Sequence, residues 1–504
     1  MTVARTWGIA LTGIDGALVE VEADVSPHVP SFSIIGLPDK ALGEAQQRVR
    51  NATENCGMPL PDRRLTVNLS PASLPKQGSG FDVAIAIASL ATSGGMDASS
   101  VARTVHIGEL GLDGRLRPVR GVLPAVLAAV RAGKPRVIVP HASVREAQLV
   151  AGAEVIGATT LADVAIAHGS EVEPLDLAPV LAESSAVEPA AVPDLSDVVG
   201  QDDAIGALLL AAAGGHNMLL SGPPGVGKTM LAERLPSILP PLDDDAALEV
   251  AAIRSLSGAG VDSLSRVPPF EAPHHSATMA ALVGGGSRVI GPGAIARASN
   301  GVLFLDEAAE FGSQALDSLR QPLEKGHITI HRAGATAQFP ARFQLVLATN
   351  PCPCGNYGSS EAVCSCAPNT VRRYLGKLSG PLMDRIDIQF GVRRMSHAPA
   401  GRGAIDSASA RARVAEARLR AADRWGRSAL NAAVPGSVVR SPRFLPPPGV
   451  RAPLDRALER GVLSLRGYDR TLRLAWTLSD LAGVDRPGLD EIGGALFHRK
   501  GMAL

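Results

Sequence analysis

A glycine-rich loop from Gly222 to Thr229 has the composition and spacing of a phosphate-binding site. It matches the pattern G-x-x-x-x-G-K-[ST], and it lies between the apolar run Asn217–Ser221 and a stretch of good helix formers that begins at Met230. In a strand–loop–helix unit of this kind, backbone N–H groups and the helix N-terminus bind phosphate oxygens. The predicted nucleotide-binding residues of the loop are Gly222, Pro223, Pro224, Gly225, Val226, Gly227, Lys228 and Thr229.

Four side chains could supply the chemistry of phosphate transfer. Lys228 is expected to reach the β- and γ-phosphates of ATP, and the Thr229 hydroxyl is expected to bind Mg²⁺. The apolar run Gly301–Leu305 reads as a buried strand of a parallel sheet, and Asp306 and Glu307 follow it. Asp306 would hold the Mg²⁺ shell, and Glu307 would orient and polarise the attacking water. An isolated Asp-Glu pair is usually a solvated turn, so this assignment depends on the glycine-rich loop.

Two further polar residues have catalytic and ordinary interpretations. The apolar run Phe343–Thr349 ends at Asn350, whose amide could hold the lytic water or the γ-phosphate, or could cap a turn. Arg385 lies between Asp384 and Asp387, where an arginine normally forms a surface salt bridge. In a ring ATPase, an arginine at this place can reach the neighbouring subunit's γ-phosphate and neutralise charge in the transition state.

The composition is that of a globular chain with several domains. The 504 residues are 46% hydrophobic and 19% charged, with a formal net charge of +0. No Lys or Arg occurs between Arg145 and Lys228, whereas basic residues outnumber acidic ones from Arg372 to Arg473. The N-terminus lacks the pattern of a secretory signal, and no apolar run approaches the length of a membrane span. We therefore expect a cytoplasmic protein with no membrane partner.

The predicted fold is α/β and multidomain, with a parallel sheet in the nucleotide-binding core. The predicted units are an N-terminal α/β domain (1–168), an acidic Ala/Pro-rich linker (169–193), the core (194–400) and a helical lid (401–504). Predicted strands of the first domain are 17–23, 65–69 and 136–139. Predicted helices include 39–56, 81–92, 408–425, 451–462 and 468–481.

The segment from Asn68 to Ala86 resembles the proteolytic domain of Lon-type proteases. Those enzymes use a serine nucleophile that a lysine activates. Gly80 stands where that serine would be, Ser79 is one residue early, and no lysine is clearly placed to activate it. We therefore expect a Lon-like fold without peptidase chemistry, and a live Ser/Lys peptidase is the competing interpretation.

These motifs together resemble the ComM/YifB family of magnesium-chelatase-like AAA+ ATPases over nearly the whole chain. The most particular segments are Ala272–His275, Gly284–Ser287, Gly301–Glu307, Leu323–Gly326, Asn350–Gly355 and Ser379–Ile388. The resemblance implies that ATP and Mg²⁺ are the cofactors and that the chain assembles with itself into a hexameric ring. It also makes the glycine-rich loop the Walker A loop, with Asp306 and Glu307 as Walker B, Asn350 as sensor 1, Arg385 as arginine finger and Arg470 as sensor 2.

Four other residues are interpreted alongside the same resemblance. Gly200 and Gln201 lie shortly before the Walker A loop, where AAA+ modules often hold the adenine. Arg473 shares a predicted helix with Arg470 and could touch the nucleotide or belong to a solvated helix face. Glu271 stands where a basic residue is expected, which puts any substrate contact at that position in doubt.

Two insertions could determine what the ATPase acts on. Residues 283–296 form a glycine-rich loop with Arg288 near its tip, and residues 327–342 read as a hairpin that contains Arg332. In related ring ATPases such hairpins point into the central pore, where arginines could grip the phosphates of single-stranded or branched DNA. The ordinary alternative for each arginine is an exposed loop charge.

Four of the five cysteines are crowded between residues 352 and 366. Four thiolates could hold a structural Zn²⁺ ion, although C-x-C spacing is tighter than the usual C-x₂₋₄-C. Reduced free thiols and a redox pair are the alternatives. The residues concerned are Cys352, Cys354, Cys364 and Cys366.

Three functions are compatible with these motifs. The leading one is an ATP-driven DNA motor that promotes branch migration in homologous recombination or natural transformation. The second is a magnesium-chelatase-like ATPase that remodels a protein partner or drives metal insertion. The third, ATP-dependent proteolysis, requires the serine that Gly80 replaces.

Overall fold

The computed structural model describes residues 3–36, 41–74, 76, 78–181, 192–286, 290–332, 335–358, 363–394, 405–426 and 430–500. Arg288 and residues 182–191 of the predicted linker lie outside these ranges. The described residues form a mixed seven-stranded sheet, a parallel five-stranded sheet and a C-terminal group of helices. The predicted α/β fold with a parallel sheet and a helical C-terminal region is therefore confirmed.

The N-terminal sheet has the strand order β3-β4-β2-β1-β5-β8-β9, and β6 and β7 form a separate hairpin. Its strands are β1 (Ala4–Thr12), β2 (Asp15–Ser26), β3 (Ser31–Ile35), β4 (Arg64–Ser70), β5 (Val105–His106), β6 (Glu109–Leu110), β7 (Leu116–Arg117), β8 (Arg136–Pro140) and β9 (Glu154–Ala158). The accompanying helices are α1 (Ala41–Asn55), α2 (Asp82–Ala91), α3 (Ala98–Arg103), α4 (Val122–Arg131), α5 (Val144–Ala147) and α6 (Leu161–Ile166).

Alternating burial explains why these residues form strands. In β4, Leu65, Val67 and Leu69 are buried, whereas the residues between them are only partly covered. A period of two places every second side chain on the face that packs against helices. The predicted strands at 17–23, 65–69 and 136–139 correspond to β2, β4 and β8, and the predicted helices 39–56 and 81–92 correspond to α1 and α2.

The core sheet has the strand order β11-β14-β17-β10-β18, with every neighbouring pair parallel. Including four short strands that pair as two separate hairpins, the strands of this part are β10 (Met218–Ser221), β11 (Phe270–Glu271), β12 (Gly284–Gly285), β13 (Gly291–Pro292), β14 (Val302–Leu305), β15 (His327–Arg332), β16 (Ala335–Pro340), β17 (Gln344–Thr349) and β18 (Ile388–Gly391). All residues of β14 and β17 are buried, as expected for central strands covered on both faces.

Ten helices of the described core accompany this sheet, and five form the C-terminal region. The core helices are α7 (Asp202–Gly214), α8 (Lys228–Glu233), α9 (Leu235–Ile238), α10 (Asp244–Ser257), α11 (Met279–Val283), α12 (Ala294–Arg297), α13 (Ser313–Asp317), α14 (Arg320–Lys325), α15 (Pro368–Leu375) and α16 (Gly380–Met383). The C-terminal helices are α17 (Ser407–Trp425), α18 (Gly436–Val439), α19 (Pro448–Glu459), α20 (Leu465–Ala482) and α21 (Leu489–Lys500).

The C-terminal helices share a hydrophobic core with the nucleotide-binding sheet. Leu472, Ala475 and Trp476 are buried along one face of α20, at the helical spacing that the sequence shows. They belong to the same cluster as Leu208 of α7 and Val346 of β17. The C-terminal helices therefore pack on residues that support the core sheet. No helix in the described part of the chain is both long enough and apolar enough to cross a membrane.

The N-terminal domain packs against the core at two places. Helices α4 and α10 meet in one buried cluster that includes Val122 and Ala251. The turn between β1 and β2 also approaches β16 so closely that a Cβ atom on Gly13 would lie 2.0 Å from the carbonyl oxygen of Gln338. Gly13 has φ +69°, a conformation that glycine adopts without strain. The β15–β16 hairpin is thus held by the N-terminal domain.

Candidate nucleotide site and its surroundings

The glycine-rich loop joins the carboxyl end of β10 to the first turn of α8. Gly225 and Gly227 have φ values of +77° and +88°, which turn successive N–H groups toward one side of the loop. Gly222 needs to lack a side chain for a different reason, since a Cβ there would lie 2.4 Å from the carbonyl oxygen of Val392. The loop is therefore a cradle of backbone donors that side chains would obstruct.

Lys228 lies at the centre of this cradle. Its ammonium donates to the carbonyl oxygens of Gly222 and Pro223 at 2.7 and 2.9 Å and to Oδ1 of Asn350 at 3.0 Å. Burial lowers the pKa of Lys228, while the nearby carboxylates of Asp306 and Glu307 act in the opposite direction. The two predicted phosphate-side residues, Lys228 and Asn350, are thus in direct contact although 122 positions separate them.

Thr229 and Asp306 form the predicted Mg²⁺ position. The Thr229 hydroxyl donates to Oδ2 of Asp306 at 2.6 Å. One hydroxyl and one carboxylate beside a phosphate cradle fit Mg²⁺, which prefers oxygen ligands and takes the remainder from phosphates and water. The parallel register brings the two together, because β10 and β14 flank β17 and end at the same edge of the sheet.

Glu307 has a partner that the sequence interpretation did not assign. Its backbone is in the left-handed region, with φ +50°, and its N–H donates to Oδ1 of Asp306 at 2.9 Å. A non-glycine residue there is uncommon, and such residues cluster at functional sites. The Glu307 carboxylate lies 3.1 Å from Nδ1 of His275, whose ring packs beside that of His274. In the sequence, the segment Ala272–His275 contributes to the family resemblance, but it does not predict a contact between His275 and Glu307.

The two predicted adenine-side residues lie beside the same loop. Gln201 donates through Nε2 to the carbonyl oxygen of Val226 at 2.8 Å, and Gly200 has φ +73°. Glu271, at the end of β11, forms an ion pair with Arg297 at 3.0 Å. That pairing accounts for an acidic residue at this position within the fold.

The predicted arginine finger and sensor 2 lie together at the junction with the lid. Arg385 pairs with Glu324 and donates to the carbonyl oxygen of Pro381 at 2.6 Å. Arg470 pairs with Asp387 and donates to the carbonyl oxygen of Arg385 at 3.3 Å. Both arginines line a cavity whose other residues are Leu323, Glu324, Asp384, Arg466, Asp469 and Arg473. Their polar partners in this structure are therefore acids and carbonyls of this junction.

Asp387 links the lid to the core. Burial alone would raise its pKa, but Arg470 and His216 bring the pKa well below its ordinary value. His216 in turn contacts Oγ1 of Thr477 at 2.8 Å. A buried carboxylate is stable when a cation and further hydrogen bonds satisfy it. Arg470 of α20 is consequently ion-paired with the residue that directly precedes β18.

The two insertions lie side by side. Arg332 is exposed at the end of β15, and its guanidinium would be 2.9 Å from a Cβ atom placed on Gly285. Gly284, in the first strand of the glycine-rich hairpin, would likewise meet the side chain of Ile330 at 3.1 Å. The structure thus brings Arg332 to the base of the loop that contains Arg288, which lies outside the described residues.

The Lon-like segment presents a serine whose partner is an acid. Ser79 Oγ donates to the carboxylate of Glu109, and Gly80 lies next to it, at the rim of a groove between the N-terminal domain and the hairpin. Lys76 is buried, which lowers its pKa, and its ammonium donates to the carbonyl oxygens of Pro71 and Leu74. Neither group has the contacts of a serine activated by a lysine.

The four crowded cysteines converge on one point. Their sulfur atoms all lie within 4.8 Å of one another, and Cys352 is buried while the other three are partly exposed. Hydrogen bonds from the N–H of Asn356 and from neighbouring groups lower the pKa of Cys354 to about 6. The fifth cysteine, Cys56, is buried in the N-terminal domain, and burial raises its pKa.

Comparison with known families matches most of the chain in three parts. Residues 194–399 match the model described as magnesium chelatase, subunit ChlI. Residues 21–143 match subunit ChlI of Mg-chelatase, and residues 404–499 match the magnesium chelatase subunit ChlI C-terminal model.

Individual relatives extend over the full length. The chain is 49% identical to an uncharacterized protein of Mycobacterium tuberculosis over 511 residues, covering 99% of both chains. It is 42% identical to the competence protein ComM of Haemophilus influenzae over 505 residues, covering 99% of this chain and 98% of ComM. A shorter match of 142 residues, 30% identical, covers 27% of this chain and 18% of the Lon protease of Mycolicibacterium smegmatis.

Proposed function

Because the chain belongs to the ComM/YifB family of magnesium-chelatase-like AAA+ ATPases, we propose that it is a ring-forming, ATP-dependent DNA motor. Its activity would be branch migration of joint DNA molecules, in homologous recombination or natural transformation. The observation that carries the proposal is the position of the exposed Arg332, whose hairpin packs against Gly284 and Gly285 of the glycine-rich insertion.

The ATP site would work through residues that already contact one another. Lys228 and the loop N–H groups would hold the phosphates, and Thr229 and Asp306 would hold Mg²⁺, which neutralises phosphate charge when bound. Asn350, which accepts a hydrogen bond from Lys228, would hold the γ-phosphate or the lytic water. Glu307 would orient the attacking water once its carboxylate leaves His275.

Completion of this site would require a second subunit. Arg385 is only 12% exposed and is paired with Glu324 of its own chain, so it is preorganised at a surface cavity and not at its own glycine-rich loop. An arginine at such a surface cavity could reach the nucleotide bound by the neighbouring subunit of a ring. We therefore propose a hexamer as the active form, acting in the cytoplasm.

DNA contact would be made through phosphates. Arg332 is exposed and lies on the β15–β16 hairpin. The contact of Gln338 with Gly13 of the N-terminal domain supports this hairpin. A cation on a rigid arm can bind any phosphate regardless of base, which suits a motor that moves along arbitrary sequence.

The experiment compares ATP hydrolysis with no polymer, single-stranded DNA, a four-way junction and an unfolded protein. We expect the junction to stimulate hydrolysis, with stimulation falling steeply as salt rises. Arg332→Ala should weaken junction affinity and reduce the salt dependence, whereas Arg342→Ala, an exposed arginine after the same hairpin, should change little. Indifference of hydrolysis to every DNA would overturn the proposal.

A second candidate is an ATPase that remodels a protein or drives metal insertion. The match of all three parts to models described as magnesium chelatase subunit ChlI favours it. Stimulation by the protein substrate and not by the junction would support this candidate.

We propose ATP and Mg²⁺ as the cofactors of the nucleotide site. We also propose that the four cysteines of the cluster are ligands of a Zn²⁺ ion.

A further inference from the structure

The cysteine cluster has the dimensions of a tetrahedral metal site. The sulfur of Cys352 lies 3.3 Å from that of Cys354 and 3.7 Å from that of Cys364, and Cys354 and Cys364 are 3.6 Å apart. Four sulfurs at about 2.3 Å from a Zn²⁺ ion stand about 3.8 Å from one another. A disulfide would need about 2.05 Å, and all five cysteines of the chain are free thiols.

Backbone hydrogen bonding supports the same reading. The N–H of Tyr357 donates to the sulfur of Cys352 at 3.3 Å, and the N–H of Gly355 donates to the carbonyl oxygen of Cys352 at 3.0 Å. The first donor orients a thiolate ligand and offsets its negative charge, and the second closes the backbone turn after Cys352. The tight C-x-C spacing is therefore no obstacle, since the turn after Cys352 brings both sulfurs of the first pair to one point.

The cluster also touches the nucleotide site. Gly355 has φ +80°, and a Cβ atom there would lie 2.4 Å from Cδ and 2.9 Å from Cγ of Pro224 in the Walker A loop. On its other side, the cluster begins two residues after Asn350, which accepts a hydrogen bond from Lys228. One short loop therefore borders the phosphate cradle through both Pro224 and Asn350.

We infer that the cluster binds one Zn²⁺-type thiophilic cation, and that the metal-bound loop braces the Walker A loop and Asn350 for nucleotide binding. The ligands are Cys352, Cys354, Cys364 and Cys366. The metal keeps the backbone of Gly355 against Pro224 and fixes the direction in which Asn350 leaves β17. The cation has no part in phosphate chemistry.

Metal content tests the first half of the inference. The full chain, purified under reducing conditions, is expected to contain one zinc per subunit by elemental analysis, and a thiol-reactive mercurial should release it. Cys366→Ser should lose the metal, Cys366→His should retain it because imidazole also binds zinc, and Cys56→Ser should retain it. If the reduced chain holds no zinc as purified and takes up none from added zinc, the site does not exist.

Nucleotide affinity tests the second half with a matched pair of glycines. Gly355→Ala and Gly358→Ala both place a side chain at positive φ, +80° and +74°, but a Cβ at Gly358 meets nothing within 4 Å. Gly355→Ala should retain zinc and weaken binding of a fluorescent ADP analogue by about 10- to 100-fold through displacement of the Walker A loop. Gly358→Ala should bind the analogue as the parent does. Equal affinities for the two variants would overturn the bracing role, whatever the metal content.

Discussion

Glu307→Gln is the substitution that most directly tests the assignment of the hydrolytic base. The amide has the size of the carboxylate, so it leaves the left-handed backbone at φ +50° and the hydrogen bond from the Glu307 N–H to Asp306 in place. It removes only the negative charge and the ability to accept a proton from water. Lys228, Thr229 and Asp306 are untouched, so nucleotide binding should remain.

The expected loss follows from the role. General-base assistance contributes about 10²–10⁴ to a rate, which corresponds to about 2.7–5.4 kcal/mol of activation free energy. The effect on folding should be far smaller. The side chains of His275 and Glu307 are 37% and 50% exposed, and a polar contact this accessible contributes under about 1 kcal/mol to stability.

Three measurements decide the matter: steady-state phosphate release, affinity for a fluorescent ADP analogue, and the thermal unfolding midpoint. Glu310→Gln is the matched control, because it removes a carboxylate three residues away that pairs with Lys377 at 3.6 Å. Near-normal turnover in Glu307→Gln would refute the reasoning, as would an equal loss in Glu310→Gln.

Three other perturbations have defined outcomes. Lys228→Ala should be folded, as judged by circular dichroism, but should neither bind the nucleotide analogue nor hydrolyse ATP. Retained hydrolysis would show that Lys228 is not part of the catalytic site. Arg385→Ala should lower ATP hydrolysis by about 10³-fold. If Arg385 acts on the site of a neighbouring subunit, mixing Arg385→Ala with Lys228→Ala subunits should restore part of the activity. No recovery in the mixture would contradict this action between subunits. Burial lowers the pKa of His168 to about 4, so the folded chain resists a proton that the unfolded chain binds below about pH 6.5. The contribution of His168 to the free energy of unfolding is therefore complete above about pH 6.5 and is lost as pH falls toward 4. His168→Gln should flatten that part of the decline in the unfolding midpoint.

Local patterns were sufficient for the elements that position the site. The apolar runs before Gly222, Asp306 and Asn350 became β10, β14 and β17, because a short apolar run followed by a turn is typical of a strand buried on both faces of a parallel sheet. The roles of the catalytic residues and of the adenine-side pair stay predictions. So do the domain boundaries, the hexamer and the DNA contacts.

Contacts between distant residues could not be predicted in the same way. His275 was within a segment that carried the resemblance, yet nothing in its sequence neighbourhood indicates that it meets Glu307 at 3.1 Å. The approach of Gly355 to Pro224 is of the same kind, because it joins two loops that are 131 positions apart (355 minus 224). Each contact depends on which strands are neighbours, and apolar patterns record burial without naming the neighbour.

The sequence by itself determined the chemistry that this protein can perform on a phosphate. A glycine-rich loop, a lysine, a hydroxyl and two carboxylates are local features, and their reactivity follows from residue type and from the strand end that each occupies. The tertiary structure alone decided their working arrangement: Asn350 on Lys228, His275 on Glu307, and the cysteine cluster against the Walker A loop. The strand order β11-β14-β17-β10-β18 is the physical reason, because it places chain segments far apart in sequence at one edge of a sheet.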